Sequence, residues 1–385
     1  MVERSHSLAE PVKSGVLPAR DRAPWERSLP NVPGEQTRIP VAVLGATGMV
    51  GSAFIALLAR HPWFRVAEVG ASERSAGRAL GDALRIDSAT IPPDLRELKL
   101  SACTPESVTS PIVFSALDSS VAGEVEQEFA RHGRLVLTNA RNHRMEPDVP
   151  LVIPEVNPDH LQLLGRQREV RKWTGSIVAN GNCAAIVVAL ALAPLHEAAR
   201  LRSVMVTTMQ ALSGAGYPGV ASLDILGNVI PYIGGDEEQK IEQETRKILG
   251  SHDEYGVQPS DFEVSAQVNR VPVEHGHTAC LTIGLDRRVS PEDAREIISS
   301  WVPATAGLDL PSAPERAVVV MSDEDRPQPR RDAGTGNGMT VSVGRIRADS
   351  VLDLRMVACG HNTIRGAAGA SILNAELLVA RRRSL

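Results

Sequence analysis

Cysteine is scarce: four residues in 385, at positions 103, 183, 280 and 359. None belongs to a C-x-x-C pair and the four stand far apart, so the chain offers neither a disulfide framework nor a zinc site, and reduced thiols in a cytoplasmic setting are expected. A basic excess is missing too. Forty-one Lys and Arg stand against 46 Asp and Glu, a net charge of -5, which gives nucleic acid or an anionic membrane surface no positive field to bind. No apolar run reaches the length of a membrane span; even the run from Cys183 meets Pro194 and then His196 and Glu197. Residues 1–38 lack an apolar signal-peptide core, mix charges of both signs and carry five prolines, so they read as a disordered tail rather than a targeting segment. The remainder, in a chain 43% hydrophobic and 23% charged, suffices for two globular domains without internal repeats.

Ordered structure is expected from "RIPVAVLGATGMVGSAFIALLARH", a β-branched strand, a glycine turn and an amphipathic helix, with the next strand at "FRVAEVGAS". Strands at "PIVFSAL" and "LVLTNA" flank the helix "AGEVEQEFARHG". This alternation predicts an α/β, doubly wound parallel sheet of Rossmann type. After Cys183 the pattern changes to longer alternating strands ("RSVMVTTMQAL", "FEVSAQVNRVPV", "TACLTIGLD", "MTVSVGRIR"), which predicts an α+β domain on a mostly antiparallel sheet. Residues 325–339 read as a charged Pro/Gly loop. The last helix is crowded with Gly366, Ala367, Ala368, Gly369 and Ala370, and glycine's cost in a helix implies close backbone packing, back onto the first domain. The expected divisions are a tail at 1–38, a Rossmann domain at 39–182, an α+β domain at 183–357, and a C-terminal helix at 358–385.

"GATGMVG" places Gly45, Gly48 and Gly51 directly after a strand and at the start of a helix. That is the context of a dinucleotide fingerprint: one glycine for the turn, one for approach of the pyrophosphate, one for helix-strand packing, with Thr47, Met49 and Val50 at the helix N-terminus facing the anion. The second strand ends in "ASERSAG", where Ser72, Arg74 and Ser75 can donate to a ribose 2′-phosphate and only Glu73 would prefer a hydroxyl. NADP is therefore the expected cofactor.

A cysteine in an apolar run is ordinarily a small core hydrophobe. Cys183 differs in position. It follows "NGN" at the first turn of a helix, where unpaired N–H groups and the dipole favour a thiolate. A partner is sought in "EHGHTACL", where His275 and His277 flank a glycine, either able to protrude. The strand before it alternates, with Phe262, Val264, Ala266 and Val268 on one face, and parity puts Arg270 on that apolar face. Such a guanidinium needs an internal carboxylate or a substrate carboxylate, and the pattern leaves both open.

The segments "GATGMVG", "ASERSAG", "TNARNHRMEPDVPLVIPEVN", "NGNC", "TMQALSGAGYPGV", "NVIPYIGGDEEQKIEQETRKILG", "NRVPVEHGHT", "VGRIR" and "HNTIRGAAGASILNAELL", in this order, resemble the aspartate-semialdehyde dehydrogenases over nearly all of residues 39–382, most closely the archaeal and fungal type. The resemblance implies Cys183 as nucleophile, His277 as acid/base and Gln210 as an orienting group. It implies Arg270 at the substrate α-carboxylate, Glu237 (or its neighbour Glu238) at the amino group, Arg144 and Lys240 at the phosphate, and Asn182 beside the nucleophile. It also implies a second glycine loop at Ser213, Gly214 and Gly216 against the cofactor, with Ser115, Ala116 and Asn362 lining that groove. Without the resemblance, "DEEQKIEQETRK" is a solvated helix with i,i+3 and i,i+4 ion pairs.

The implied reaction is NADP-dependent reductive dephosphorylation of L-aspartyl 4-phosphate to L-aspartate 4-semialdehyde through a cysteine thioester, a step of aspartate-family amino-acid biosynthesis (lysine, threonine, methionine), in a homodimer or homotetramer. Rivals are an acyl-CoA or other acyl-phosphate reductase and a non-catalytic cofactor-binding homologue. One departure stands out: the family's usual Asn-Pro-Asn-Cys is here Asn180-Gly181-Asn182-Cys183, which frees a φ angle and adds an N–H.

Overall fold

The computed structural model describes residues 23–30, 37–84 and 90–383. Six strands form the first sheet: β1 (Ile39–Leu44), β2 (Phe64–Ala71), β3 (Leu100–Ala102), β4 (Ile112–Ser115), β5 (Leu135–Thr138) and β6 (Ser176–Ala179). All pairs are parallel, in the order β3-β2-β1-β4-β5-β6. The last three strands are buried along their whole length, as near-continuous apolar runs between covered faces must be. Helices α1 (Met49–Leu58), α2 (Ser119–Arg131) and α3 (Leu163–Arg171) serve this sheet.

Helix α4 (Cys183–Ala199) leads to the second half. Its residues from Ala184 to Leu195 are all buried, so it is apolar all round and runs through the core; Pro194 does not end it. The next strands are β7 (Leu201–Gln210) and β8 (Ile230–Pro231), followed by helix α5 (Glu237–Ile248) and a hairpin of β9 (Ser251–Asp253) and β10 (Gly256–Gln258). Then come β11 (Glu263–Arg270), β12 (His277–Leu285), helix α6 (Pro291–Ser300), β13 (Val318–Val320), β14 (Val341–Ala348) and β15 (Leu354–Gly360). The second sheet is ordered β13-β14-β15-β12-β7-β11-β8 and is mixed, with β13-β14 and β7-β11 parallel and the other pairs antiparallel. One face packs on α4; the other leaves Met205 and Cys280 exposed, as the alternation along β7 requires.

The C-terminal segment is a π-turn, Ile364–Ala368, closed by bonds from Gly366 N–H to His361 O and from Ala368 N–H to Thr363 O, and then helix α7 (Gly369–Arg383). Ile372, Leu373 and Leu377 of α7 share a core with β1 and β4.

Two expectations change. Residues 23–30 are not part of a disordered tail: Pro24–Arg27 is a helical turn whose Trp25, with Leu29, is buried in the first sheet's core, and the Glu26 carboxylate accepts from Ala23 N–H. Positions 1–22 and 31–36 lie outside the described residues. The 325–339 loop folds into two short turns, Pro329–Asp332 and Thr335–Gly338, because buried Asp332 binds the Arg326 guanidinium and Gln328 N–H.

Candidate active site

Topology brings three strand ends to one edge of the second sheet. Parallel β7 and β11 finish side by side, with Arg270 registered against Gln210, and antiparallel β12 starts there at His277. The nucleophile arrives from the first sheet. β6 ends at Ala179, the loop Asn180–Asn182 turns, and α4 begins at Cys183. Asn182 caps α4, its Oδ1 accepting from Ala184 and Ala185 N–H at 3.0 and 3.1 Å.

Cys183 Sγ lies 3.1 Å from His277 Nε2. His277 Nδ1 accepts the Ala211 backbone N–H at 3.1 Å, so in the neutral ring the proton belongs on Nε2, aimed at the sulfur. Burial, and then the Arg270 charge, push the imidazole down to about 3, which keeps it neutral. Burial, and then the Glu237 carboxylate, push the half-buried Cys183 thiol up to about 12, against the opposing pull of Arg144, Arg270 and the Ala184 N–H. The resting pair is thiol and neutral imidazole. His275 takes a different place: its Nδ1 meets Ser213 Oγ at 2.9 Å and its ring stacks on His361.

Arg270 is buried, and its Nη1 donates to Ala211 O at 2.6 Å. Among the described residues no carboxylate lies within ion-pair distance of it, so the internal ion pair that parity left open is not there. Gly214 packs on this pair; a Cβ at that position would lie 2.9 Å from His277 Cε1 and 3.0 Å from Arg270 Nη1.

Helix α5 supplies the opposite wall. Glu237 Oε1 accepts from Asn182 Nδ2 at 2.7 Å and from Gln210 Nε2 at 3.4 Å, while Oε2 pairs with Lys240 Nζ at 3.2 Å. Glu238 points away and accepts from Val268 N–H. Arg144 is not free at the phosphate position. Its Nη1 pairs with buried Glu244 at 3.0 Å and its Nη2 donates to Asn139 O, which leaves a buried Nε without a partner. Glu244 also accepts the Asn182 backbone N–H, joining Arg144 to the nucleophile's loop. Sequence reasoning missed Glu244 and Lys247, both buried. The available signal was spacing: 237, 240, 244 and 247 form one stripe beside Ile241 and Ile248.

The glycine turn fits a dinucleotide. Gly45 has φ +70°, and a Cβ there would fall 2.4 Å from Ala116 O; one on Gly51 would fall 2.2 Å from Gly45 O. Gly48 is exposed, with nothing closer than Gly45 O at 3.4 Å, and it gives α1 no side-chain cap, so the first-turn N–H groups of Met49, Val50 and Gly51 are left to an anion. β2 ends beside β1, and Ser72, Glu73 and Arg74 are exposed in the turn that follows, with Ser75 half-buried. A groove of about 610 Å³ is lined by Met49 from the first glycine loop and by Ser213 and Gly216 from the second. Two expected lining groups are otherwise engaged. The Ser115 hydroxyl is buried beside Glu126, because a residue at that parity faces α2. The Asn362 side chain bridges Gly276 N–H at 2.9 Å and Ser213 Oγ at 2.7 Å, holding the second loop to the start of β12.

Two family models match the chain: "Semialdehyde dehydrogenase, NAD binding domain" over residues 40–164 and "Semialdehyde dehydrogenase, dimerisation domain" over residues 192–365. An aspartate-semialdehyde dehydrogenase of Archaeoglobus fulgidus is 50% identical over 343 residues, 89% of this chain and 98% of the relative. One from Schizosaccharomyces pombe is 47% identical over 348 residues, 88% and 97% of the two chains. The crystal structure of the Candida albicans aspartate-semialdehyde dehydrogenase with NADP superposes with a TM-score of 0.83 at 42% identity, covering 89% of this chain and 99% of that one.

Proposed function

The chain belongs to the aspartate-semialdehyde dehydrogenase family, and from that premise we propose that it catalyses NADP-dependent conversion of L-aspartyl 4-phosphate to L-aspartate 4-semialdehyde and phosphate, with the division of labour that follows. The carrying observation is the 3.1 Å contact between Cys183 Sγ and His277 Nε2 at the mouth of a helix N-terminus.

Arg270, a buried guanidinium with unused donors, takes the substrate α-carboxylate in a bidentate fork, and Glu237 takes the ammonium group. Fixing the amino-acid end turns remote binding energy into alignment of the acyl carbon. Lys240 takes the phosphoryl oxygens, and the Arg144 guanidinium, held by Glu244 beside the nucleophile's loop, adds positive charge there. Sγ attacks the acyl carbon, its proton passes to the departing phosphate oxygen, and the C–O bond breaks to leave a thioester on Cys183. NADPH, when bound against the two glycine loops, supplies the hydride that reduces the thioester carbon. His277 Nε2–H stabilises and protonates the oxygen that gains charge, then recovers that proton as the C–S bond breaks and the aldehyde leaves; the released Cys183 thiolate takes a proton from solvent, which restores the resting thiol. Gln210, beside Glu237, keeps the carboxylate turned inward. The Nε2–H tautomer that Ala211 imposes is the one a proton donor needs.

Ser72, Arg74 and Ser75 favour the 2′-phosphate of NADP. Among the described residues no helix is long and apolar enough to cross a membrane. We assign the enzyme to the cytoplasm, in aspartate-family amino-acid biosynthesis, as a homodimer or homotetramer built through the second sheet, a reading supported by the dimerisation-domain match and the exposed Met205 and Cys280 face. The test is NADP reduction by L-aspartate 4-semialdehyde, expected to require phosphate and to vanish in Cys183→Ala. Reduction at the same rate without phosphate would overturn the assignment.

A further inference from the structure

Lys247, on the last turn of α5, is 2% exposed, yet among the described residues its ammonium meets no carboxylate. Its Nζ donates instead to three backbone carbonyls of one segment: Arg144 O at 2.7 Å, Glu146 O at 2.7 Å and Val149 O at 3.0 Å. An ammonium has three protons, and all three are used. The segment it gathers belongs to the first half of the chain and carries Arg144, whereas α5 belongs to the second and carries Glu237 and Lys240. One turn back, Glu244 ties the Arg144 guanidinium to the backbone of Asn182. From this geometry we infer that Lys247 is a positioning residue for oxyanion binding: acting as an internal cation, it fixes the Arg144 backbone so that the guanidinium stands beside the nucleophile's loop.

A neutral amine cannot do this, because it brings two protons to three carbonyls and turns a lone pair on the third. Burial pulls the Lys247 ammonium down to about 8, with Asp148, Glu146 and Glu244 opposing the fall. The titratable groups facing it are those three carboxylates and His160, whose imidazole burial holds below its ordinary value. The clasp is therefore complete below about pH 8 and loosens above it.

The inference rests on the acyl-phosphate reading of the site, and the experiment separates the two. NADP reduction by L-aspartate 4-semialdehyde is measured with full-length enzyme at varied phosphate, for the unaltered protein, Lys247→Met and Lys247→Arg. Lys247→Met is expected to raise the KM for phosphate about tenfold or more, with kcat at saturating phosphate and the KM for NADP held within about threefold, the signature of a lost binding contribution. In the unaltered enzyme the KM for phosphate rises above about pH 8, where inorganic phosphate is already a dianion; in Lys247→Arg, charged throughout, that rise disappears. If Lys247→Met does not fold, the pH comparison between the unaltered enzyme and Lys247→Arg decides. A flat alkaline profile in the unaltered enzyme, or a Lys247→Met that loses kcat and all KM values together with its thermal stability, overturns the inference. Phosphate-independent activity of the unaltered enzyme overturns the acyl-phosphate reading itself.

Discussion

Gly366 stands in the π-turn with its Cα against the nucleophile. A Cβ at this position would lie 2.6 Å from Cys183 Cβ and 3.0 Å from Cys183 Cα. Carbon pairs rest at about 3.5–4.0 Å, so Gly366→Ala must drive the two segments apart by roughly 1 Å. Neither has room to yield. The turn is pinned by Arg365, whose Nη1 and Nη2 reach Glu155 at 2.7 and 2.8 Å with both side chains buried, and by Asn180 Nδ2 beneath Gly366 O. On the other side α4 is packed along its length. Overpacking of this kind costs about 1–3 kcal/mol of stability. The larger effect is on rate. Displacing the sulfur by about 1 Å takes it out of reach of His277 Nε2, and a misplacement of that size lowers turnover about 100-fold. The assay is kcat for phosphate-dependent NADP reduction, beside a urea melt that checks the fold. Gly165→Ala is the control: nothing lies within 4 Å of its Cβ on α3, so it should leave kcat unchanged and add about 0.5–1 kcal/mol of stability. A folded Gly366→Ala enzyme with kcat within about threefold of the unaltered protein would show that the π-turn does not set the nucleophile's position.

Four further outcomes can be measured. With the Cys183 thiol pushed up to about 12 and the His277 imidazole down to about 3, no thiolate-imidazolium pair exists near neutrality; alkylation of the free enzyme by iodoacetamide should climb about tenfold per pH unit between roughly pH 7 and 10, and a plateau near pH 7 would contradict this. Arg74→Ala should raise the KM for NADP about tenfold and leave that for NAD unchanged; equal effects on both cofactors would place the 2′-phosphate elsewhere. Arg365→Met strands the Glu155 carboxylate in the core and should cost about 3–5 kcal/mol in urea unfolding, whereas a loss below about 1 kcal/mol would mean that water reaches the pair. Gly181 is not in the left-handed region, and its N–H donates no hydrogen bond among the described residues, so Gly181→Pro, which restores the family's usual residue, should stabilise by about 0.4–1 kcal/mol at nearly unchanged kcat; a lower thermal midpoint would show that the contact with Ile186 Cγ1, 3.1 Å from the added Cβ, does not relax.

What could be read from the sequence, and what could not, divides along a physical line. Glycines and strand parity are local constraints, so the first-domain turn, the parallel strands and the place of Arg270 on a buried face followed from residue order alone. Cys183 and His277 could each be put at the end of an element, but their meeting across 94 positions came from topology, which sets the end of β6 against the start of β12. Short β3 and β13 carry too few residues to show a period. Trp25 was hidden by the prolines around it, and the π-turn by a composition that reads simply as a poor helix.

Helix α5 is the most instructive failure, because alternating charge at positions 237, 240, 244 and 247 satisfies two opposite descriptions. On a solvated helix those spacings give ion pairs worth a few tenths of a kcal/mol each. The same four residues also make a stripe of zero net charge, which can be buried as a unit if each member finds a partner outside the helix. In the fold only Glu237 and Lys240 pair with one another; Glu244 turns to Arg144 and Asn182, and Lys247 to three carbonyls. The exchange replaces weak surface pairs with charge-assisted bonds in a dry environment, where each is stronger and where losing one partner is far more costly. Only a segment a hundred residues away, arriving with exposed carbonyls and an arginine, decides between the two descriptions, and no period within α5 contains that information.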